Sequence, residues 1–236
     1  PSGVEYGRLL DIGRELVKDH ANRPLRSRLL TFALWQVVPR PVLFAPLLQL
    51  GQFFRPLLPA FVQSHVPIKM PVLHQVEPVI GANVVLLSGC VQSAATPNVV
   101  ASLLKVLHHQ GMDAEVFHEG CCGALDYHLS AHEAGMQRMK VVIDQLYPRI
   151  DQIDYIVSSA TGCGVTIRDY PEILQYDAEY RDKASAIVDK LVDPIEIVSG
   201  EAIEVTMTRV AVHTPCSMQH GLSLTGTVEK LLGDIG

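Results

Sequence analysis

Asn83-Val84-Val85-Leu86-Leu87-Ser88-Gly89-Cys90 is a short apolar run that stops in a small polar turn and a cysteine. An unbroken run of β-branched and aliphatic residues is the pattern of a strand buried on both faces, so residues 83–87 read as a parallel strand. Thr96-Pro97 then reads as a helix N-cap followed by proline at the first helical position. Val99, Val100, Leu103, Leu104 and Leu107 form one helical face, and Gly111 stops that helix. The texture repeats downstream. Residues 114–117 read as a second strand, 130–146 as a helix, 155–158 as a third strand and 180–191 as a helix. Residues 195–198 and 205–212 look extended, and 222–232 look helical. This alternation predicts an α/β fold, a mostly parallel, doubly wound, Rossmann-like sheet.

Upstream the pattern differs. Residues 4–19 have helical periodicity, with Leu9, Ile12, Leu16 and Val17 on one side and Leu10 off the stripe. Residues 29–63 are rich in Leu, Phe, Val and Pro. Their longest uncharged stretch, Pro41 to Phe54, is 14 residues, short of the roughly 20 that span a bilayer. Pro39, Pro41, Pro46, Pro56 and Pro59 break it further. The segment reads as short helices buried against a core or a partner subunit; the sharper alternative is a surface that sits on a membrane or a partner.

Bulk properties exclude several classes. With 48% hydrophobic and 19% charged residues, the 236-residue chain can bury a core and is not a disordered segment. A formal charge of −6 leaves no broad footprint for nucleic acid. No charged start, apolar middle and small-residue cleavage site marks a signal peptide. Five cysteines, an odd number with no CxxC pair, make a secreted disulfide framework a poor account and favour a reducing compartment with metal-binding or redox thiols.

Those cysteines recur at one kind of place. Cys90 follows the first strand. Cys121 and Cys122 follow the second, through Gly120. Cys163 follows the third, and Cys216 follows Val210-Ala211-Val212. Loops leaving the carboxyl ends of parallel strands lie along one edge, where ligands bind, so distant thiols are expected to converge. Converging thiolates suit an iron–sulfur cluster, zinc or disulfide chemistry; a lone cysteine is otherwise a small buried hydrophobe. Structural zinc favours C-x₂₋₄-C pairs, and none is present. Gly89, Gly120, Gly123, Gly162 and Gly164 flank the cysteines and let backbone approach a cluster. His118, His128, His132, His213 and His220 lie near the same loops, as ordinary polar residues or as donors to a cluster sulfur. No phosphate loop and no G-x-G-x-x-G fingerprint marks a flavin or nicotinamide site. A weak repeat relates residues 84–90 to 210–216, each followed by a turn and a helix. It predicts a paired cysteine about 31 residues beyond Cys216, at the spacing that separates Cys90 from Cys121.

Cys90…Cys121-Cys122-Gly123…Cys163 resembles the CCG (cysteine-rich) domain of the heterodisulfide reductases and their relatives. Four longer strings resemble the iron–sulfur subunits of glycolate oxidase (glycolate dehydrogenase): Leu87-Ser88-Gly89-Cys90-Val91-Gln92-Ser93, Gly120-Cys121-Cys122-Gly123-Ala124-Leu125-Asp126-Tyr127-His128, Ser158-Ser159-Ala160-Thr161-Gly162-Cys163-Gly164, and His213-Thr214-Pro215-Cys216-Ser217-Met218-Gln219-His220-Gly221. This likeness covers essentially the whole chain. One departure is that the wider family pattern closes in CxxC, whereas Ala160-Thr161-Gly162-Cys163 has one thiolate fewer, as the glycolate branch does.

The resemblance implies that Cys90, Cys121, Cys122 and Cys163 hold an iron–sulfur cluster of [4Fe-4S] type, cubane or noncubane, and that Cys216 opens a second site. Pro1-Ser2-Gly3-Val4-Glu5-Tyr6-Gly7 resembles the residues just after the last cysteine of a ferredoxin motif. It implies a ferredoxin domain ahead of a helical linker (1–75), a first CCG domain (80–200) and the truncated start of a second CCG repeat (205–236). The implied role is electron transfer with no catalytic side chain. Electrons would come from flavin-containing subunits that oxidise glycolate to glyoxylate, and go to a membrane quinone or similar acceptor, in the cytoplasm or on the inner face of its membrane. The alternatives are a thiol–disulfide (heterodisulfide-type) reductase subunit, the iron–sulfur subunit of a lactate or glycerol-3-phosphate dehydrogenase, and a zinc-binding assembly protein. The roles of His118, His128, His213 and His220 stay open.

Overall fold

The computed structural model describes residues 6–20, 24–70, 77–118, 120–200, 209 and 211–235. In chain order its elements are α1 (Tyr6–His20), α2 (Leu25–Val37), α3 (Pro41–Phe53), α4 (Ala60–Gln63), β1 (Val84–Leu87), α5 (Gln92–Ala95), α6 (Pro97–His109), β2 (Ala114–Phe117), α7 (Ala124–His128) and α8 (His132–Leu146). Then come β3 (Tyr155–Ser158), α9 (Thr161–Arg168), α10 (Tyr170–Ile173), α11 (Arg181–Asp189), β4 (Leu191–Val192), α12 (Pro194–Ile197), a π-helical turn (Ser217–Gly221) and α13 (Thr227–Ile235).

The four strands form one parallel sheet in the order β2-β1-β3-β4, so the chain is α/β. All four residues of β1 are buried, as its unbroken apolar run requires. Side chains alternate across the sheet. Val85 and Leu87 enter one core with Met139, Ile143, Ile156, Ile167, Tyr170 and Ile187. Val84 and Leu86 enter the other with Val100, Leu104 and Leu107. Helices α8 to α11 cover the first face and α6 the second.

Three local expectations are corrected. Residues 195–198 are not a strand, because Asp193 caps α12: its carboxylate accepts from the Ile195 N–H while Glu196 accepts from the Asp193 N–H, with Pro194 at the first turn. The fourth strand is instead the two-residue β4. Residues 222–226 are not helical, since Ser223 and Gly226 both have positive φ and α13 begins after them. Thr96 does precede α6 with Pro97 at its first turn, but its hydroxyl makes no cap. The strand expected at 205–212 falls largely outside the described residues.

The N-terminal helices differ from expectation more deeply. The apolar stripe of α1 faces outward, with Leu9, Ile12, Leu16 and Val17 all exposed. Its polar side docks on the body instead: Asp11 pairs with His128 at 3.0 Å, Arg14 donates to the His128 carbonyl and Glu15 pairs with His132 at 3.3 Å. Helices α2, α3 and α4 contain no buried residue, so they are not core helices of this chain. Helix α3 leans on α5, the short helix that follows Cys90.

Candidate metal centre

Three loops leave the carboxyl ends of β1, β2 and β3 and bring four free thiols together. The β1 loop is Ser88-Gly89-Cys90. The β2 loop turns through Gly120 and Gly123, both at positive φ, and presents Cys121 and Cys122 between them. The β3 loop leads straight into α9, whose first turn carries Cys163. In this strand order β1 and β3 lie side by side at the point where successive connections run in opposite directions, the usual ligand crevice of an open parallel sheet.

The sulfurs form a continuous chain. Cys90 Sγ lies 3.5 Å from Cys121 Sγ, and Cys122 stands close enough to Cys121 and Cys163 for the three thiols to shift one another's titration. A Cβ at position 89 would lie 3.8 Å from Cys163 Sγ, an ordinary van der Waals contact, which places the β1 loop against that sulfur. Hydrogen bonds from Cys122 and Cys90, the Gly123 N–H and the charge of Arg138 pull the Cys121 thiol down to about 3, against its burial. Cys90 and Cys122 are pushed up, first by their bonds to Cys121 and Cys163 and then by burial. Cys163 is lowered by its bond from Cys122. Backbone N–H groups of Val91 and Gly123 add donors to Cys90 and Cys121.

The support around the thiols is buried and polar. Tyr170, fully buried, donates its hydroxyl to the Cys122 carbonyl at 2.9 Å. Asp126, 2% exposed, pairs with Arg138 at 2.6 Å; burial still raises its carboxyl above the usual range. Position 126 stands four residues after the paired cysteines, and a buried acid there asks for a cation. Tyr170 gave no such signal, because the contact spans 48 residues.

The structure leaves Cys216 outside the thiol chain. It is exposed, at the start of the π-helical turn, which touches α9 through a 2.7 Å contact between the Ser217 and Thr161 hydroxyls. Among the described residues no hydrogen bond joins a histidine to a cysteine sulfur: His128 and His132 pair with Asp11 and Glu15, and His118 lines a polar groove with Glu115 and Arg149.

Four thiols without acid or imidazole are a soft donor set, suited to iron–sulfur or other thiophilic metal chemistry. Beside Cys122 and Cys163 lies a cavity of about 20 Å³, space for roughly one water. Among the described residues no group of three His, Cys, Asp or Glu side chains is arranged around a single metal ion. The thiols fit a cluster by number and chemistry, and must spread from their mutual contacts to take one.

Residues 84–168 match the model of the cysteine-rich domain family CCG. The chain is 40% identical to the "Glycolate oxidase iron-sulfur subunit" of Escherichia coli (strain K12), across 100% of its own length and 60% of that protein. It is 27% identical to the "Probable glycolate oxidase iron-sulfur subunit" of Bacillus subtilis (strain 168), over 82% of the chain and 49% of the relative. With "Lactate utilization protein A" of the same organism it shares 30% identity over 62% of each. The chain thus spans about half to two thirds of the length of these relatives. No solved structure matches it. Cys90, Cys121, Cys122 and Cys163 therefore all lie in the stretch that matches the cysteine-rich domain model, within a chain similar along its whole length to a glycolate oxidase iron–sulfur subunit.

Proposed function

We propose that this chain is an electron-transfer part of a flavin-dependent complex that oxidises glycolate to glyoxylate. The carrying observation is the convergence of Cys90, Cys121, Cys122 and Cys163 at the switch point of the sheet, supported by the whole-chain likeness to the E. coli subunit. A bound iron–sulfur cluster of [4Fe-4S] type supplies one-electron redox chemistry there. This chain's residues hold and tune it: the four thiolates as ligands, Val91 and Gly123 N–H groups as donors to sulfur, and Tyr170 fixing the Cys122 backbone. Hydride removal belongs to flavin-containing partner subunits. Electrons leave toward a quinone-type acceptor at the inner face of the cytoplasmic membrane. Residues 80–200 form the first CCG unit, residues 1–75 lead into it, and Cys216 opens a second unit.

Iron and sulfide analysis with low-temperature EPR of the full natural chain tests the assignment. Single Cys→Ser changes at 90, 121, 122 and 163 are expected each to lower cluster content and alter the signal. Iron-free, EPR-silent protein in a fully active complex would overturn it. The low-lying Cys121 thiol beside Cys90 favours a second reading, a thiol–disulfide reductase subunit. Mixed disulfides trapped at Cys121, in protein lacking iron, would decide for that reading.

A further inference from the structure

The N-terminal helices carry a feature that the thiol site does not use. Residues 21–76 contain Arg23, Arg26, Arg28, Arg40, Arg55 and Lys69 and not one Asp or Glu, in a chain whose formal charge is −6. The described residues of that stretch also expose many large apolar side chains. Leu25, Leu29, Phe53, Leu57, Phe61 and Ile68 are each 68–79% exposed.

A face made to dock on a folded protein has one apolar side and a polar back. Helices α2 and α3 have apolar residues around their circumference and none buried. An apolar concavity of about 330 Å³, lined by Leu34, Val37, Phe44, Leu47, Leu48 and Val66, opens between them. Apolar exposure on all sides, with positive charge only, is the chemistry of a segment lying in the boundary of an anionic bilayer.

The geometry favours helices lying in the boundary over a single straight span. Among the described residues no single helix is long and apolar enough to cross a membrane; α2 and α3 pass only together, and they bend by 112° where they meet. Each is 13 residues, about 20 Å of helix against a hydrocarbon core of about 30 Å. Pro39, Pro41, Pro56 and Pro59 stand at or near the breaks between the pieces, while Pro46 lies inside α3. Arg26, Arg28 and Lys69 are exposed and placed to meet headgroups.

We infer that α2, α3 and α4 form a monotopic membrane-docking surface selective for anionic phospholipid. Its apolar side chains enter the headgroup boundary and its arginines pair with lipid phosphate. The inference deepens the membrane-facing part of the proposed function but stands on exposure and charge. Vesicle binding and iron content are separate readouts, so either reading can fail while the other holds.

The test is vesicle flotation of the full natural chain, isolated with its metal, using phosphatidylcholine vesicles with and without about one third phosphatidylglycerol. Hydrogen-exchange mass spectrometry maps the contact. Binding is expected to the anionic vesicles, weakened by added salt, with new protection over residues 25–63. Arg26→Gln with Arg28→Gln is expected to weaken binding about fivefold per arginine. Phe53→Ser with Leu57→Ser and Phe61→Ser is expected to weaken it by more than about tenfold. These side chains are exposed, so circular dichroism and iron content should match the parent. Absence of binding at low salt, equal binding to both vesicle types, or protection mapping outside residues 25–63 would overturn the inference. Full protection of that segment by another protein before lipid is added would also overturn it, and would assign the surface to protein docking.

Discussion

At the scale of single residues the thiol site depends on positions that are not cysteines. Gly123 sits at φ +81, and a Cβ there would lie 2.6 Å from the Gly135 carbonyl oxygen. Backbone cannot move aside as a flexible side chain can. Gly123→Ala is therefore expected to cost about 3 kcal/mol or more, read as a lowered denaturation midpoint. Gly162 has nothing within 4 Å of the same built atom and sits in a helix, so Gly162→Ala is expected to be neutral or slightly stabilising. Equal midpoints for the two variants would contradict this account. Tyr170→Phe removes the hydroxyl that donates to the Cys122 carbonyl and leaves a buried acceptor without that partner. A loss of about 1–2 kcal/mol is expected, with faster hydrogen exchange confined to residues 120–123. Of these positions the sequence exposes only part. Gly123 is legible as a turn glycine beside two cysteines, but its collision partner, Gly135, lies a helix away, and Tyr170 looks like any core aromatic.

At the scale of elements, legibility follows length and locality. β1 and β3 are short, mostly buried runs and β2 is a half-buried one, and each is followed within five residues by a cysteine, so their place and the convergence of their loops could be read directly. β4 is two residues long, too short for any period, and the β-branched residues just after it suggest a strand although Asp193 caps them into a helix. The docking of α1 by its polar side was illegible because Asp11 and His128 are 117 residues apart. One element contact yields a pH prediction. Arg149 donates to both Glu115 carboxylate oxygens at 2.7 and 2.8 Å, and the Gly81 N–H donates to one of them, tying β2 to the turn after α8. Arg149 comes first among the causes that hold the Glu115 carboxyl below its ordinary 4.5. A carboxylate lowered in the folded state contributes stability that is full above its unfolded value and lost as pH falls through the folded one. Glu115→Gln is expected to cost about 1 kcal/mol at pH 7. The stability curves of parent and variant should converge as pH drops below about 4.5; a gap that stays constant well into the acid range would refute the ion-pair origin.

At the scale of the whole molecule the chain divides by charge and by burial. An acid-free, apolar helical stretch precedes an acidic α/β body with two aliphatic cores, one on each face of the sheet. The thiols lie where the two meet, because α5 follows Cys90 and α3 leans on α5. The cores do not contain the thiol chain as their centre: β1, β3, α6, α8 and α11 pack through Val, Leu, Ile and Met, with Cys122 only at the margin. Metal held by Cys90, Cys121, Cys122 and Cys163, as proposed, would therefore add to a body that already has its own reason to fold. A ligand that binds only the folded state at about 100 times its dissociation constant contributes about 2.7 kcal/mol, and each kcal/mol moves the melting temperature of a chain this size by about 2–4 °C. Anaerobic removal of iron by a chelator is thus expected to lower the melting temperature of the full natural chain by more than about 5 °C. Hydrogen exchange should rise in the loops at 88–91, 120–123 and 159–163 and along α5, while β1 and β3 keep their protection. A melt and an exchange pattern indifferent to iron would mean that the four thiols are packing residues and that the site holds no metal.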